Sequence, residues 1–435
     1  MLQRAACLLS VGLLAAQTAP DPGAIARKAV DLMLGGKYQE LNQMFTPEGQ
    51  KVYSVEALNK LDGQIKSWGA ASNIGAPAVT RPGPNFVVVI PVSFASQSIN
   101  FTAAITPEGK IAIFLQRPGE MAWQRPSYVK PEAFHEKGVT VGDGDWKLPG
   151  TLSVPVGNGP FPAVVLVQDS GPRDRDESVF AAKPFRDLAE GLASRGIVVL
   201  RYDKRTRVYA ARMAGTPKIT AREQTEDDAL KAAALLRAQP EVNQQKIYLL
   251  GHGLSGYLAP RMAEEDGKLA GIIIVDANER PLEDVMVDQA AYVLANRPAA
   301  AGGGEVSASK ELDLVKANAA RVKALEPADS DSPPIMGMSA AFILDLKGYD
   351  PVAVAKGIPA RVLVMQGERD FEITNKDFDL WKSGLAGRKE TSFRSYPALN
   401  HLLVAGQGKS SEAEYHKPGH VAPEVIDDIA KFVAQ

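Results

Sequence analysis

Lys246–Leu250 (KIYLL) runs into Gly251-His252-Gly253-Leu254-Ser255-Gly256 and then into Tyr257–Ala263 (YLAPRMA). This reads as a short apolar strand, a glycine-framed tight turn and a helix. Such a turn, in the pattern G-x-S-x-G, presents a serine nucleophile at the carboxyl edge of a sheet. Here the nucleophile's position holds Gly253, and the serine stands two residues later at Ser255. At about 100° per residue, two steps into a helix turn a side chain by roughly 200°. Ser255 is therefore expected to pack against the sheet, and it could attack a substrate directly only if the turn were rebuilt.

On either side lie further apolar runs: Ala163–Val167 (AVVLV), Ile197–Arg201 (IVVLR), Gly271–Val275 (GIIIV) and Arg361–Gln366 (RVLVMQ). Most are separated by helical segments, in one of which Thr225 is expected to cap a helix burying Ala229, Ala233 and Leu236. Strands apolar on both faces and alternating with helices predict a mostly parallel, doubly wound α/β sheet over 139–435. In such sheets the loops after the strands carry the chemistry. The alternation is interrupted over about 280–356 by helical patches around Pro298–Gly304 (PAAAGGG), read as a cap over the cleft or a mobile surface excursion.

Toward the N-terminus the pattern is different. Ile25, Ala29, Leu32 and Met33 share a helix face that Gly35-Gly36 ends, and Val55–Trp68 reads as a second helix with Ser54 as cap. Phe86–Phe94, Asn100–Ile105 and Lys110–Gln116 read as strands, the last two joined by a turn at Thr106–Gly109. A small α+β domain over 20–116 follows, and Pro118, Pro126 and Pro131 mark a linker over 117–138.

The 435 residues, 45% hydrophobic and 23% charged, are enough for two or three globular domains. With 49 Lys+Arg against 51 Asp+Glu there is no basic surplus for a nucleic-acid groove or a polybasic membrane patch. The one cysteine, Cys7, excludes an internal disulfide and a cysteine metal cluster. Residues 1–19 read as a secretory signal peptide: a positive start at Met1–Arg4, an apolar run from Ala5 to Ala16, and small residues for cleavage at Ala15-Ala16 or Ala19. That run is too short to span a bilayer core of about 30 Å. The expectation is an exported protein, periplasmic or extracellular, with no stable membrane anchor after cleavage and no cysteine.

Beyond the strand pattern, Lys183–Met213, Leu249–Ala263, Arg280–Asp284, Met338–Ala353 and Tyr396–His401 resemble the α/β-hydrolase superfamily. The similarity is to its secreted bacterial branch, with an esterase or acyl-peptidase-like domain behind a small N-terminal α+β domain. It extends over almost the whole mature chain and implies an α/β-hydrolase fold with a helical cap. In that branch the turn reads G-H-S-L-G-G, so serine and glycine look exchanged between Gly253 and Ser255. The resemblance implies Asp370, ending Val364–Asp370 (VMQGERD), as the triad acid and His401, after the expected strand Ser392–Tyr396, as the base. The order turn, Asp, His suits the fold. A carboxylate on the second ring nitrogen of a histidine fixes its tautomer and stabilises its charged form.

The oxyanion or substrate loop formed by Gln168 and Asp169, with Leu254 opposite, departs as well. It runs Gln168-Asp169-Ser170-Gly171-Pro172 where the branch carries His-Gly-Ser-Gly-Pro. A carboxylate beside a developing oxyanion opposes its stabilisation, so Asp169 argues against a standard hole unless it turns outward. Asp276-Ala277-Asn278 stands where Ala-Gly-Asn is usual. Asp169, Asp174, Asp176 and Asp276 could suggest a cation site, but a solvated acidic loop paired with Arg173 and Arg175 is expected instead. His416 and His420 are separated by Pro418-Gly419, which breaks any shared helix face, and His252 and His135 have no ligand set in the sequence around them. No metal and no cofactor are expected.

The expected function is that of a serine-hydrolase-type fold for carboxylic esters or small acyl substrates, its activity weak or lost through Gly253. The alternative is a non-catalytic pseudoenzyme that binds a small ligand or a protein partner. No motif speaks to oligomeric state.

Overall fold

The computed structural model describes residues 21–94, 98–119, 123–214, 218–297 and 305–435. The expected signal segment with Cys7, and Pro298–Gly304, lie outside them. The chain forms two compact units that divide between Ala122 and Trp123.

In the first unit the helix Pro22–Leu34 is capped by Asp21 and buries Ala26, Ala29, Val30 and Met33. Ser54 caps the helix Val55–Ser67 by accepting from the Ala57 N–H. The five strands are β1 (Ala71–Ile74), β2 (Ala78–Thr80), β3 (Phe86–Phe94), β4 (Ser98–Ile105) and β5 (Ile111–Gly119), paired antiparallel in the order β1-β3-β4-β5 with β2 also on β3. Strand periodicity sends Val88, Ile90 and Val92 of β3 inward against the first helix. β5 continues past Gln116, where the linker was expected to begin, because Pro118 pairs with Ile99 at its end.

The second unit is built on an eight-stranded sheet: β6 (Phe134–Val141), β7 (Leu148–Pro155), β8 (Phe161–Val167), β9 (Val198–Tyr202), β10 (Val242–His252), β11 (Gly271–Val275), β12 (Arg361–Gly367) and β13 (Thr391–Tyr396). Their order is β13-β12-β11-β10-β8-β9-β7-β6, parallel except for β7, which pairs antiparallel with both β9 and β6. β6 begins inside the stretch read as linker. It is an edge strand whose polar residues alternate outward, so its sequence lacks the continuous apolar run that marks the central strands. Those central strands bury both faces: Val165, Ile272 and Ile274 meet Leu236, Leu258 and Met262, while Val164, Leu166 and Ile273 meet Phe185, Leu188 and Ile426.

Thr225 is not a cap. It lies within a π-helical turn, Arg222–Glu226, that runs into the helix Asp227–Arg237, and its side chain makes no capping hydrogen bond. The faces assigned to Ala229, Ala233 and Leu236 are buried as expected. The interruption after β11 contains the helices Leu282–Ala295, Glu305–Ala324 and Ala340–Leu346, and Val322, Leu325, Ile335 and Ile343 form a small core there. Among the described residues no helix is long and apolar enough to cross a membrane.

Candidate active site

β10 delivers the chain to Gly253, whose φ of 53° and ψ of −121° lie in a positive-φ region that glycine adopts without steric cost. The helix begins at once, at Leu254. Ser255 is fully buried in its first turn and donates from Oγ to the Gln168 carbonyl at 2.5 Å. That hydroxyl ties the helix to the end of β8, as the helical rotation predicts, and Ser255 does not line the cleft.

The loops after β12 and β13 bring the two other expected residues together. His401 donates from Nδ1 to Asp370 Oδ2 at 2.7 Å, and Asp370 Oδ1 accepts the N–H groups of Glu372 (2.7 Å) and Ile373 (2.9 Å). Burial raises the carboxyl of Asp370 above its ordinary range. Burial works against the charge of His401, but Asp370, Glu372 and Asp169 outweigh it and hold the imidazole well above its ordinary value.

Asp169 turns inward. The Leu254 N–H, which would be an oxyanion donor, instead donates to Asp169 Oδ1 at 2.8 Å. Oδ2 lies 3.7 Å from His401 Nε2. A Cβ on Gly253 would fall on Asp169 Oδ1, closer than any real Cβ contact. The carboxylate therefore fills the space that a side chain on Gly253 would take. The N–H of Asp169 is taken too, by Glu177 Oε1 at 2.7 Å. Burial opposes the charge on Asp169, but His401, His252 and the Leu254 N–H hold its carboxyl well below the usual carboxylate range.

Gln168 does not face the cleft. It is buried, and its Nε2 donates to the carbonyls of Tyr202 and Asp174. Asp276, fully buried at a φ of 45°, accepts the Gly367 N–H at Oδ1 (2.7 Å) and has no partner for Oδ2 among the described residues. Burial, with Asp370 adding to it, pushes its carboxyl up to about 8.

His252, expected to be isolated, belongs to the site. It donates from Nε2 to the His401 carbonyl at 2.9 Å, stacks on the His401 ring at 4.5 Å, and places Nδ1 3.2 Å from Glu177 Oε2. Burial opposes its charge, but Glu177 prevails, and the imidazole is pushed up to about 8. Glu177 itself is buried at a φ of 51°. Nothing in its sequence neighbourhood announces this role; His252 had one signal, its place next to the turn.

Atoms of His252, Asp276 and His401 that could bind a metal lie within 4.8 Å of one another. A tetrahedral zinc needs ligand atoms about 3.3 Å apart with converging lone pairs. Here His252 has Nε2 on the His401 carbonyl and Nδ1 3.2 Å from Glu177 Oε2, and its ring is stacked on that of His401 at 4.5 Å, so the two rings do not converge on one point. Nor do the other acidic residues converge. Asp174 Oδ1 accepts the N–H groups of Asp176 and Ser178, and Asp176 pairs with Arg201 and Lys183. The expected partners differ: Arg175 pairs with Asp203 and Arg173 donates to the Ser170 carbonyl. His416 stacks on Phe180 and His420 meets Asp187, so the two do not share a site. His135 is exposed on β6.

Asp169, Gly253 and His401 open onto a cavity of about 370 Å³, walled largely by Leu282, Val285, Met286, Met338, Phe342 and Ile373. Ser170, Gln224, Asn278, Gln289 and Glu372 add polar groups to these walls; Asp169 and His401 line the cavity, whereas the Asp370 side chain is fully buried and does not. Most wall residues come from the segment read as a cap.

No family model matches the chain. It is 36% identical over 346 residues to esterase EstD of Thermotoga maritima, which covers 79% of this chain and 78% of that protein. Similar solved structures include Est1E from Butyrivibrio proteoclasticus, 13% identical with a TM-score of 0.43 over 68% of this chain and 99% of that one. The esterase domain of a Rhodothermus marinus protein is 17% identical with a TM-score of 0.40 over 68% of this chain and 98% of that one.

Proposed function

Because the chain belongs to the α/β-hydrolase superfamily, with an esterase among its relatives, we propose that its cleft takes a small apolar ester or acyl compound but that the serine route of acyl transfer is closed. One observation carries this reading: Asp169 stands where the Gly253 side chain would be and occupies the Leu254 N–H. Nucleophile and oxyanion donor are lost together. In subtilisin, removing the serine alone lowers turnover by about 10⁶, and an occupied hole removes part of what is left.

The test is hydrolysis of p-nitrophenyl butyrate by three proteins. The unaltered chain is expected to be inactive, and Gly253→Ser alone to gain nothing, since its side chain meets Asp169. Gly253→Ser with Asp169→Gly frees both the space and the donor, and is expected to gain at least a hundredfold over either single variant, about what one positioned catalytic group supplies. Robust turnover by the unaltered chain, abolished by Ser255→Ala, would refute the reading. Residues 1–19 support export to the periplasm or beyond, which N-terminal sequencing of the protein from cell fractions would check.

A further inference from the structure

We propose that the cleft selects ligands carrying a primary ammonium group on a small apolar frame, the class of amino acid esters, and that Glu372 and Asn278 hold that group. The inference rests on the reading that this cleft takes a small apolar ester or acyl compound, and it names the kind. Its first basis is the charge of the cavity lining. The ionisable groups there are Asp169, Glu372 and His401, with no lysine or arginine among the described residues. His401 already has Asp370 at 2.7 Å and Asp169 at 3.7 Å. Glu372 is therefore the carboxylate in surplus.

Glu372 is fixed from three sides. Its N–H donates to Asp370 Oδ1 at 2.7 Å, its carbonyl accepts from Gln289 Nε2 at 2.8 Å, and its Oε1 accepts from the Tyr415 hydroxyl at 2.7 Å. Tyr415 is buried, with its ring stacked on Phe371 at 5.9 Å. Burial, with Glu372 adding to it, holds that phenol far above its ordinary value, so it remains a donor. Among the described residues Oε2 takes no hydrogen bond and Glu372 joins no salt bridge. Neighbouring Glu414 and Asp288 each meet an arginine instead. A positioned carboxylate on a largely apolar wall, without a cation of its own, favours a ligand that brings one.

Asn278 points to the same chemistry independently. It is fully buried and lines the same cavity. Its Nδ2 donates to the Arg280 carbonyl at 2.7 Å, and because a carbonyl only accepts, the orientation of the amide is settled. Oδ1 is thus an acceptor, and it has no partner among the described residues. A ligand N–H satisfies it. The free groups of this wall are therefore an anion and a neutral acceptor. A carboxylate or phosphate would set lone pairs against both. An alcohol could donate to Asn278 but would leave Glu372 without a counter-charge, and a quaternary ammonium has charge without a donor. A primary ammonium supplies both, while Leu282, Val285, Met286 and Phe342 take the apolar frame. At about 370 Å³ the cavity is at the small end for ligand pockets, which keeps that frame small.

Phenylalanine methyl ester and methyl 3-phenylpropanoate differ by the amino group alone. Calorimetry of each on the full chain at about pH 6, where the amine is largely charged, is expected to show the amino ester binding at least about tenfold tighter. Glu372→Gln keeps an acceptor for the Tyr415 hydroxyl and should bring the two affinities to within about threefold of each other. The N,N,N-trimethyl form of the amino ester, charged but without an N–H, should bind more weakly than its parent. Equal affinities of the two methyl esters for the unaltered chain would overturn the proposal even if Glu372→Gln failed to fold. An unchanged ratio in a Glu372→Gln protein of normal melting temperature, or a trimethylated ester as tight as its parent, would overturn it too. If neither ester binds, the reading of the cleft as an acyl-compound site falls with it, whereas equal binding sinks this inference alone.

Discussion

Asp276 shows how far a single residue can shape the site without entering its chemistry. Its folded carboxyl keeps a proton until about pH 8, whereas an unfolded aspartate ionises near 4. The folded state therefore binds more protons between those values, and stability falls as pH rises through that window and levels off above it. His252, raised to about 8, acts in the same direction: its contribution is complete below the ordinary histidine value near 6.5 and is lost as pH rises through about 8. Asp276→Asn keeps an acceptor for the Gly367 N–H and has no charge to lose. It is expected to match the unaltered protein at pH 4 in urea unfolding and to exceed it increasingly up to pH 8, by at most about 1.4 kcal/mol per pH unit. A constant difference across that range would show that Asp276 is ionised in the fold. Residue identity told part of this in advance. Asp370 and His401 follow neighbouring strands, β12 and β13, and meet in a hydrogen bond of 2.7 Å because strand ends leave the chain little freedom. The inward turn of Asp169 depends on the empty cone above Gly253, and the roles of His252 and Glu177 depend on a loop that closes only in three dimensions.

At the scale of elements, the strand-turn-helix unit from β10 to Leu254–Asp266 decides the geometry of everything above it. A Cβ on Gly256 would lie 2.6 Å from the Cβ of Ala277, so the glycine lets the helix sit close against the end of β11. Gly256→Ala is expected to cost about 1–3 kcal/mol by overpacking, and Ala277→Gly in the same chain to recover part of it. Urea midpoints of the two single variants and the double would measure this; additive losses would mean that the two side chains do not meet. The unit was legible in the sequence because three signals agree there: an apolar strand, paired glycines and a helical repeat. β6 and β7 were not. They are antiparallel, and β6 sits at the sheet edge, where one-sided burial leaves a pattern of polar residues, glycine and proline that reads like a loop. The π-helical turn at Arg222–Glu226 was hidden for another reason: it stands at the start of the helix Asp227–Arg237, with no longer helical repeat before it for the extra residue to shift.

For the molecule as a whole, where the second unit begins is a question of buried charge more than of linker composition. The three prolines suggested a linker through residue 138, yet the chain from Trp123 onward is committed to the larger unit. Trp123 Nε1 donates to Asp187 Oδ1 at 2.8 Å, and Arg125 meets Glu190, whose side chain is fully buried, at 2.5 Å. Burial raises the energy of the Glu190 carboxylate, and the guanidinium groups of Arg125 and Arg186 more than offset it, holding the group below its ordinary value. Removing Arg125 leaves Glu190 with Arg186 alone, so the buried carboxylate is less well compensated, although the exposure of Arg125 keeps the cost below that of a fully buried pair. A fragment of residues 139–435 would also lose the first half of β6, stripping the edge of the sheet from β7. The fragment 123–435 is therefore expected to unfold cooperatively as a soluble monomeric species, and 139–435 to aggregate or melt well below it. Circular dichroism melts of the two fragments at matched concentration decide the matter. Equal melting temperatures would place the boundary at the prolines after all and would make the Arg125–Glu190 pair dispensable.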